Sequence, residues 1–435
     1  MIHLAIAALS SLIFITSSAT ELEADKKLER YIRQFQFEAL DLERDKNQEL
    51  YALGKKLFFD PLLSGNKNIS CAHCHDPKRG SADALPLGLG QGAYGSDPHE
   101  MPIQKKDSQL LSRHTPALFN VGLNVNRFFW DGRVEFIPRL YIYETPSAGL
   151  NGDYPEDYEI SDALSGALAA QALFPLLSHE EMRGLPGEND LANAKSDREV
   201  WNLIVQRIIN SADYKDLIKA AFASESINIA HLANALAEFQ SYYFLANNTP
   251  WDRYLRGDLK AMSYKQKRGA LVFVERGRCV LCHRGAHLSE FSFQNVAAPG
   301  VGEGFDIHKN DQGRFEITKK PADLYKFRTP ALRNVALTAP YFHSGAYLSL
   351  EEVLNHYESG VKALDQYKGK EMNNQYQDYY LKALYVETAP YRLFRKKDTA
   401  HPALRSRAIR LNSDEREDLL VFLKEALTDE SFLER

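Results

Sequence analysis

Four cysteines fall into two identical motifs, Cys71-Ala72-His73-Cys74-His75 and Cys279-Val280-Leu281-Cys282-His283, and no cysteine is left over. Thiols three residues apart lie about one helical turn apart, so both can bond the vinyl groups of one haem. The His that follows can then bind the iron from the proximal side. A lone C-x-x-C would equally suit a redox dithiol or half of a zinc site. Two copies, each followed by His, in a chain that reads as exported, predict two covalently bound haem c groups. His75 and His283 are the expected iron ligands.

The rest of the chain must supply two haem pockets. Its 435 residues are 44% hydrophobic and 26% charged, with 25 Gly and 18 Pro, which excludes collagenous, low-complexity and wholly disordered readings. Lys plus Arg total 53 against 58 Asp plus Glu, a net charge of −5, and no basic block interrupts the sequence. Nucleic acid is therefore not an expected partner. Residues 1–19 contain no Lys, Arg, Asp or Glu; Leu4 to Ile15 form one apolar run, and Ser17-Ser18-Ala19 follow. That pattern predicts a cleaved export signal, because the run is short of the ~20 residues a bilayer span needs. No later segment is apolar enough to span a membrane, so the mature chain is expected in the periplasm.

The length favours two or three domains. The two motifs divide the chain into a signal (1–19), an N-terminal haem domain (20–225) and a C-terminal haem domain (226–435). The fold expected is mostly α, two cytochrome c-like domains packed together with long loops. Helical spacing marks residues 22–59, 228–245 and 265–275. A last helix, capped by Asn412 or Ser413, buries Leu419, Leu420, Phe422 and Leu423. Gly, Pro, Asp and Ser make 76–116 mostly loop, and 297–318 is a second loop after the second haem motif.

Beyond the haem motifs, several stretches resemble the bacterial di-haem cytochrome c peroxidase family, which includes the MauG-like enzymes. They are Thr115-Pro116-Ala117-Leu118-Phe119-Asn120, Phe129-Trp130-Asp131-Gly132-Arg133 and Thr249-Pro250-Trp251-Asp252-Arg253-Tyr254. The longest begins Phe327-Arg328-Thr329-Pro330-Ala331-Leu332-Arg333-Asn334 and ends Tyr341-Phe342-His343. The resemblance runs from about residue 45 to the C-terminus. It implies that hydrogen peroxide reacts at the N-terminal haem and that the second haem stores or passes electrons. It also implies a redox-protein donor or protein substrate as partner, and a monomer or homodimer.

Site by site, the resemblance makes Trp130 the electron relay between the haems, leaving Trp201 and Trp251 as core aromatics. It makes Glu181 the acid/base that moves a proton between the peroxide oxygens, with Glu180 and His179 as neighbours that could substitute. Residues 134–168, holding Tyr141, Tyr143 and Tyr154, lengthen the usual interval between Trp130 and Glu181 and are read as a lid or docking surface. Gln91 stands where peroxidases needing prior reduction carry a distal His, with His99 as the rival position. A Gln leaves the first haem open. At the second haem the distal position falls on Tyr357 rather than Met, with His356 as the alternative. A phenolate favours ferric and higher-valent iron, whereas a thioether favours ferrous iron. Family members also bind calcium; Thr338 and Pro340 match its backbone carbonyl donors, but His114 replaces the expected Asn. Gln91 and Tyr357 favour a MauG-like oxidase of a partner protein. The alternatives are a cytochrome c peroxidase fed by a small cytochrome or cupredoxin, and a di-haem carrier without peroxide chemistry.

Overall fold

The computed structural model describes residues 2–433 except 42, 96, 124, 154, 223–225, 305–309 and 406–407, with side chains from residue 19 onward. Tyr154 and part of the 297–318 loop therefore lie outside the described residues, as do the side chains of the apolar N-terminal run. The architecture is mostly α. Helix α1 (Ile2–Phe35) and helix α2 (Gln48–Phe59) are separate elements, not the single stretch expected over 22–59. Gln36 takes φ +55 directly after α1, a left-handed conformation that stops a helix, and Asn47 restarts it by accepting from the Leu50 amide at 3.0 Å.

The α2 stripe of Leu53, Leu57 and Phe58 is fully buried. Each such side chain stabilises the fold by roughly 1.5–3 kcal/mol. Gly54 allows α2 to cross very close to the helix Ile229–Tyr243: a Cβ there would lie 1.8 Å from the Ala235 carbonyl oxygen. The short helix α3 (Cys71–Cys74) carries the first haem motif. Next, Arg127–Phe128, Val134–Ile137 and Ile142–Glu144 form a three-stranded antiparallel sheet, β1 to β3 in chain order. The front of the 134–168 segment is thus a hairpin. Its tip exposes Leu140 and Tyr141, while Tyr143 is buried with its hydroxyl donating to the Leu164 carbonyl at 3.0 Å.

Of the later helices, numbered in chain order, α4 (Ile229–Tyr243), α6 (Tyr264–Val274) and α8 (Ser413–Val421) fall where their periodicity puts them, while the structure adds α5 (Pro250–Leu255) and α7 (Leu350–Ser359). Asn412 is the cap of α8, and its Oδ1 accepts from the Glu415 amide at 2.9 Å. Two main cores result. One joins α2, α4, Trp201 and the buried face of the β2–β3 hairpin. The other joins the end of α1, α5, α6 and α8 around Trp251 and Phe422. Both cross the expected boundary at 225/226: α4 packs into the first core and Leu28 of α1 into the second. A third cluster ties Leu85, Leu87 and Leu89, after the first haem motif, to Tyr347, Met372, Tyr376 and Tyr380. Among the described residues no helix is long and apolar enough to cross a membrane.

Candidate di-haem site

Both motif histidines are built alike. His75 donates from Nδ1 to the Ser81 carbonyl at 3.1 Å, and His283 from Nδ1 to the Leu288 carbonyl at 2.9 Å. Fixing the proton on Nδ1 leaves Nε2 with its lone pair, the form in which imidazole binds a metal. Burial pulls both imidazoles down to about 4, so both are neutral at pH 7.

The second motif opens into a cavity of about 1420 Å³ of atom-free space, its mouth included. Cys279, Cys282 and His283 form one wall, with Trp130, Phe327, Tyr341 and Phe342 among the aromatic lining. Tyr357, from α7, lines the same space, and its phenol is pushed up first by burial and then by Cys282 and Cys279. No methionine is among the lining residues. Arg328 also faces the cavity. It donates from Nε to the Phe129 carbonyl at 3.1 Å and has no carboxylate at ion-pair distance among the described residues, and burial lowers it to about 10. Paired thiols, a ligating imidazole, apolar walls and an unmatched cation fit a covalently held haem with acidic side groups.

His356, the alternative ligand, points elsewhere. Its Nε2 lies 2.8 Å from the Val296 carbonyl and its Nδ1 3.0 Å from the Tyr347 hydroxyl, so both nitrogens are engaged. His99 is engaged as well, with Nδ1 2.8 Å from Asp76 Oδ1.

On the first-motif side, Glu181 sits in a single wide turn, His179–Arg183, whose start is capped by Ser178 Oγ accepting from the Glu181 amide at 3.2 Å. The Glu181 carboxyl is held above its ordinary range by desolvation, which Arg133 opposes and Glu180 reinforces. Glu181 is near enough to Cys74 to be among the charges that raise that thiol, after burial and Asp83. Of the alternatives, Glu180 is exposed and His179 Nδ1 bonds the Gly184 carbonyl at 2.6 Å. Gln91 is buried, and its Nε2 donates to the Met182 carbonyl at 3.0 Å while its amide donates to the Glu180 carbonyl at 2.9 Å. Gln91 thus holds the carbonyls of the residues on either side of Glu181, a task its place in the sequence did not reveal.

Trp130 links the second cavity to the loop that holds His114. Its indole lines the second cavity, and its Nε1 donates to the His114 carbonyl at 2.8 Å. His114 in turn is close enough to His75 to depress its pKa. The loop is anchored by Arg113, which bonds Asp131 at 2.6 Å and grips Asp311 with two nitrogens at 2.7 and 2.8 Å. These buried partners are far apart in sequence and carried no local signal. Trp201 and Trp251 lie in the two cores.

At the expected calcium position the structure fixes the His114 ring. His114 Nδ1 is committed to the Leu85 carbonyl at 2.7 Å, and the ring offers nitrogen where calcium prefers oxygen.

Two haem-attachment motifs in a mostly helical chain define a di-haem c-type redox protein. The sequence profile described as di-haem cytochrome c peroxidase matches residues 48–260. A cytochrome c551 peroxidase of Pseudomonas aeruginosa is 31% identical over 307 residues, 69% of this chain and 69% of the relative. The methylamine utilization protein MauG of Methylorubrum extorquens is 31% identical over 313 residues, 72% of this chain and 69% of the relative. Among solved structures, a MauG-like protein associated with microbial copper homeostasis superposes with TM-score 0.60 at 24% identity, over 91% of this chain and 94% of that one. The diheme peroxidase BthA from Burkholderia thailandensis gives 0.57 at 20%, over 89% and 88%. These two share the fold. The chain belongs to the di-haem cytochrome c peroxidase family, and it is a haem peroxidase whose family carries two c-type haems.

Proposed function

We propose that this chain is a periplasmic, MauG-like oxidase: hydrogen peroxide is reduced at the haem held by Cys71, Cys74 and His75, and oxidising equivalents reach a partner protein by way of the second haem. Tyr357 carries the reading. It faces Cys279, Cys282 and His283 across a cavity that no methionine lines, so a phenol and not a thioether is the side chain available to the second iron. The haems supply peroxide binding and one-electron chemistry. His75 and His283 serve as proximal ligands, their tautomers fixed by the Ser81 and Leu288 carbonyls.

Glu181 takes the proton from the near peroxide oxygen and returns it to the far one. Gln91 holds the Glu181 turn in place through its Nε2 bond to the Met182 carbonyl, and because a neutral amide is a poor iron ligand compared with imidazole, the first iron would be left open to peroxide. Trp130 carries electrons between the sites. In this reading residues 1–19 export the chain, and the two haems sit on two cores that each draw segments from both sides of residue 225.

The test is to add one equivalent of hydrogen peroxide to the fully oxidised holoenzyme and follow visible and near-infrared spectra. Rapid loss of the ferric haem signal with a long-lived near-infrared band is the expected result. A reaction that begins only after one-electron reduction would establish the cytochrome c peroxidase alternative, which the similarity to the Pseudomonas enzyme supports.

A further inference from the structure

Behind the second-haem cavity, His356 of α7 and Tyr347, three residues before that helix begins, form a buried pair. His356 is 1% exposed, and its Nε2 lies 2.8 Å from the Val296 carbonyl. A carbonyl only accepts, so Nε2 carries the hydrogen and Nδ1 is the bare nitrogen. The Tyr347 hydroxyl, 3.0 Å away, must therefore donate to Nδ1. Among the tyrosines near this cavity, Tyr341 donates instead to the Val335 carbonyl at 3.2 Å and Tyr367 to the Ala346 carbonyl at 2.8 Å, neither of which is a base.

Position adds a second observation. Phe342 lines the haem cavity and stands 6.2 Å from the Tyr357 ring and 5.4 Å from the Tyr347 ring, centroid to centroid. On its other side Tyr347 is 5.4 Å from Tyr367. Tyr347, Tyr367, His356 and Glu352 line a separate cleft of about 640 Å³ of atom-free space, its mouth included. Tyr347 is thus in the wall between the haem cavity and that cleft.

We propose that Tyr347 is a proton-coupled redox station that passes oxidising equivalents from the second haem to an oxidisable group, a phenol or indole side chain of a partner protein, at this cleft. The proposal rests on the peroxide-dependent reading above. One electron leaves the Tyr347 phenol for the oxidised haem centre. In the same event the O–H bond breaks and an N–H bond forms at His356 Nδ1, leaving a neutral tyrosyl radical and an imidazolium still bonded to Val296. The radical recovers an electron from the group in the cleft and the proton from Nδ1, while the oxidised group releases its own proton to water. Each peroxide takes up two electrons and two protons to give two waters, so Tyr347 turns over twice per peroxide.

The experiment treats oxidised holoenzyme with hydrogen peroxide, follows haem absorbance, freezes samples for electron paramagnetic resonance, and maps a nitroso spin-trap adduct by peptide mass spectrometry. The expected result is a tyrosyl signal, an adduct on Tyr347, and radical formation at least twofold slower in deuterium oxide. Tyr347→Phe is expected to lower the signal at least tenfold while the haem absorbance change persists. An adduct elsewhere in the unmutated protein, or an undiminished signal in Tyr347→Phe, would overturn the station and leave the peroxide reading standing. No haem response to peroxide would overturn both. The adduct map needs no variant, so it decides the matter even if Tyr347→Phe folds poorly.

Discussion

Replacing Glu181 by Gln keeps the shape of the side chain and removes its ability to accept a proton. The scaffold should not move, because the turn is held by groups outside the carboxyl: Ser178 Oγ on the Glu181 amide, and Gly65 and Gln91 both donating to the Met182 carbonyl at 2.8 and 3.0 Å. A positioned acid/base contributes about 10²–10⁴-fold. Glu181 is half-buried, so water can take over part of the proton transfer, and the low end applies. The expected loss is about 10²-fold, or about 2.7 kcal/mol of barrier. Stopped-flow absorbance of the oxidised holoenzyme against peroxide concentration measures it as a second-order rate constant.

The pH profile gives a second reading of the same group. Desolvation raises the Glu181 pKa, and the reactive form is the ionised one. The wild-type rate should therefore fall as pH drops through a value above the ordinary carboxylate range, and the Gln variant should lack that limb. A rate within about threefold of wild type, with both haem bands intact, would refute the assignment, since an acid/base at its usual worth is ~10²-fold or more.

Tyr357→Met should raise the potential of the second haem and alter its spectrum, read by spectroelectrochemistry; an unchanged spectrum would show that Tyr357 is no ligand. Asp252→Ala should cost about 3–5 kcal/mol in a urea titration, because it strands the buried guanidinium of Arg333, now bonded to Asp252 at 2.6 and 3.1 Å. Treatment with a calcium chelator should leave the peroxide rate and both haem bands unchanged, because His114 supplies no oxygen donor; a slowed rate would restore the calcium site.

The haem attachments, the mostly helical fold and α4, α6 and α8 were legible because each is written locally, as a fixed motif or a 3.6-residue period. The family stretches were legible as patterns, and the structure supplies a physical reason for two of them. Arg333 of the longest stretch clasps Asp252 of the Thr249–Tyr254 stretch, so two distant segments share one buried ion pair. What escaped was set by partners far along the chain. The break at Gln36 has no Gly or Pro to announce it. The β2–β3 hairpin is too short to show alternation. Gln91 reads as a vacant ligand position until Met182, 91 residues away, is seen to hold it, and Tyr347 reads as one of 22 tyrosines until His356 is placed against it.

The hydrogen bond of Trp130 has a consequence of its own. Its indole N–H faces the His114 carbonyl, an acceptor with no appreciable basicity, so an indole that loses an electron there has nowhere to send its proton. The charge stays on the ring as a cation and can be returned at once, with no heavy atom or proton to move back. Tyr347 is the opposite case, since its proton has a nitrogen waiting. Along the proposed path the first aromatic conducts and the second stores, a difference set by whether the hydrogen-bond partner is an amide oxygen or an imidazole.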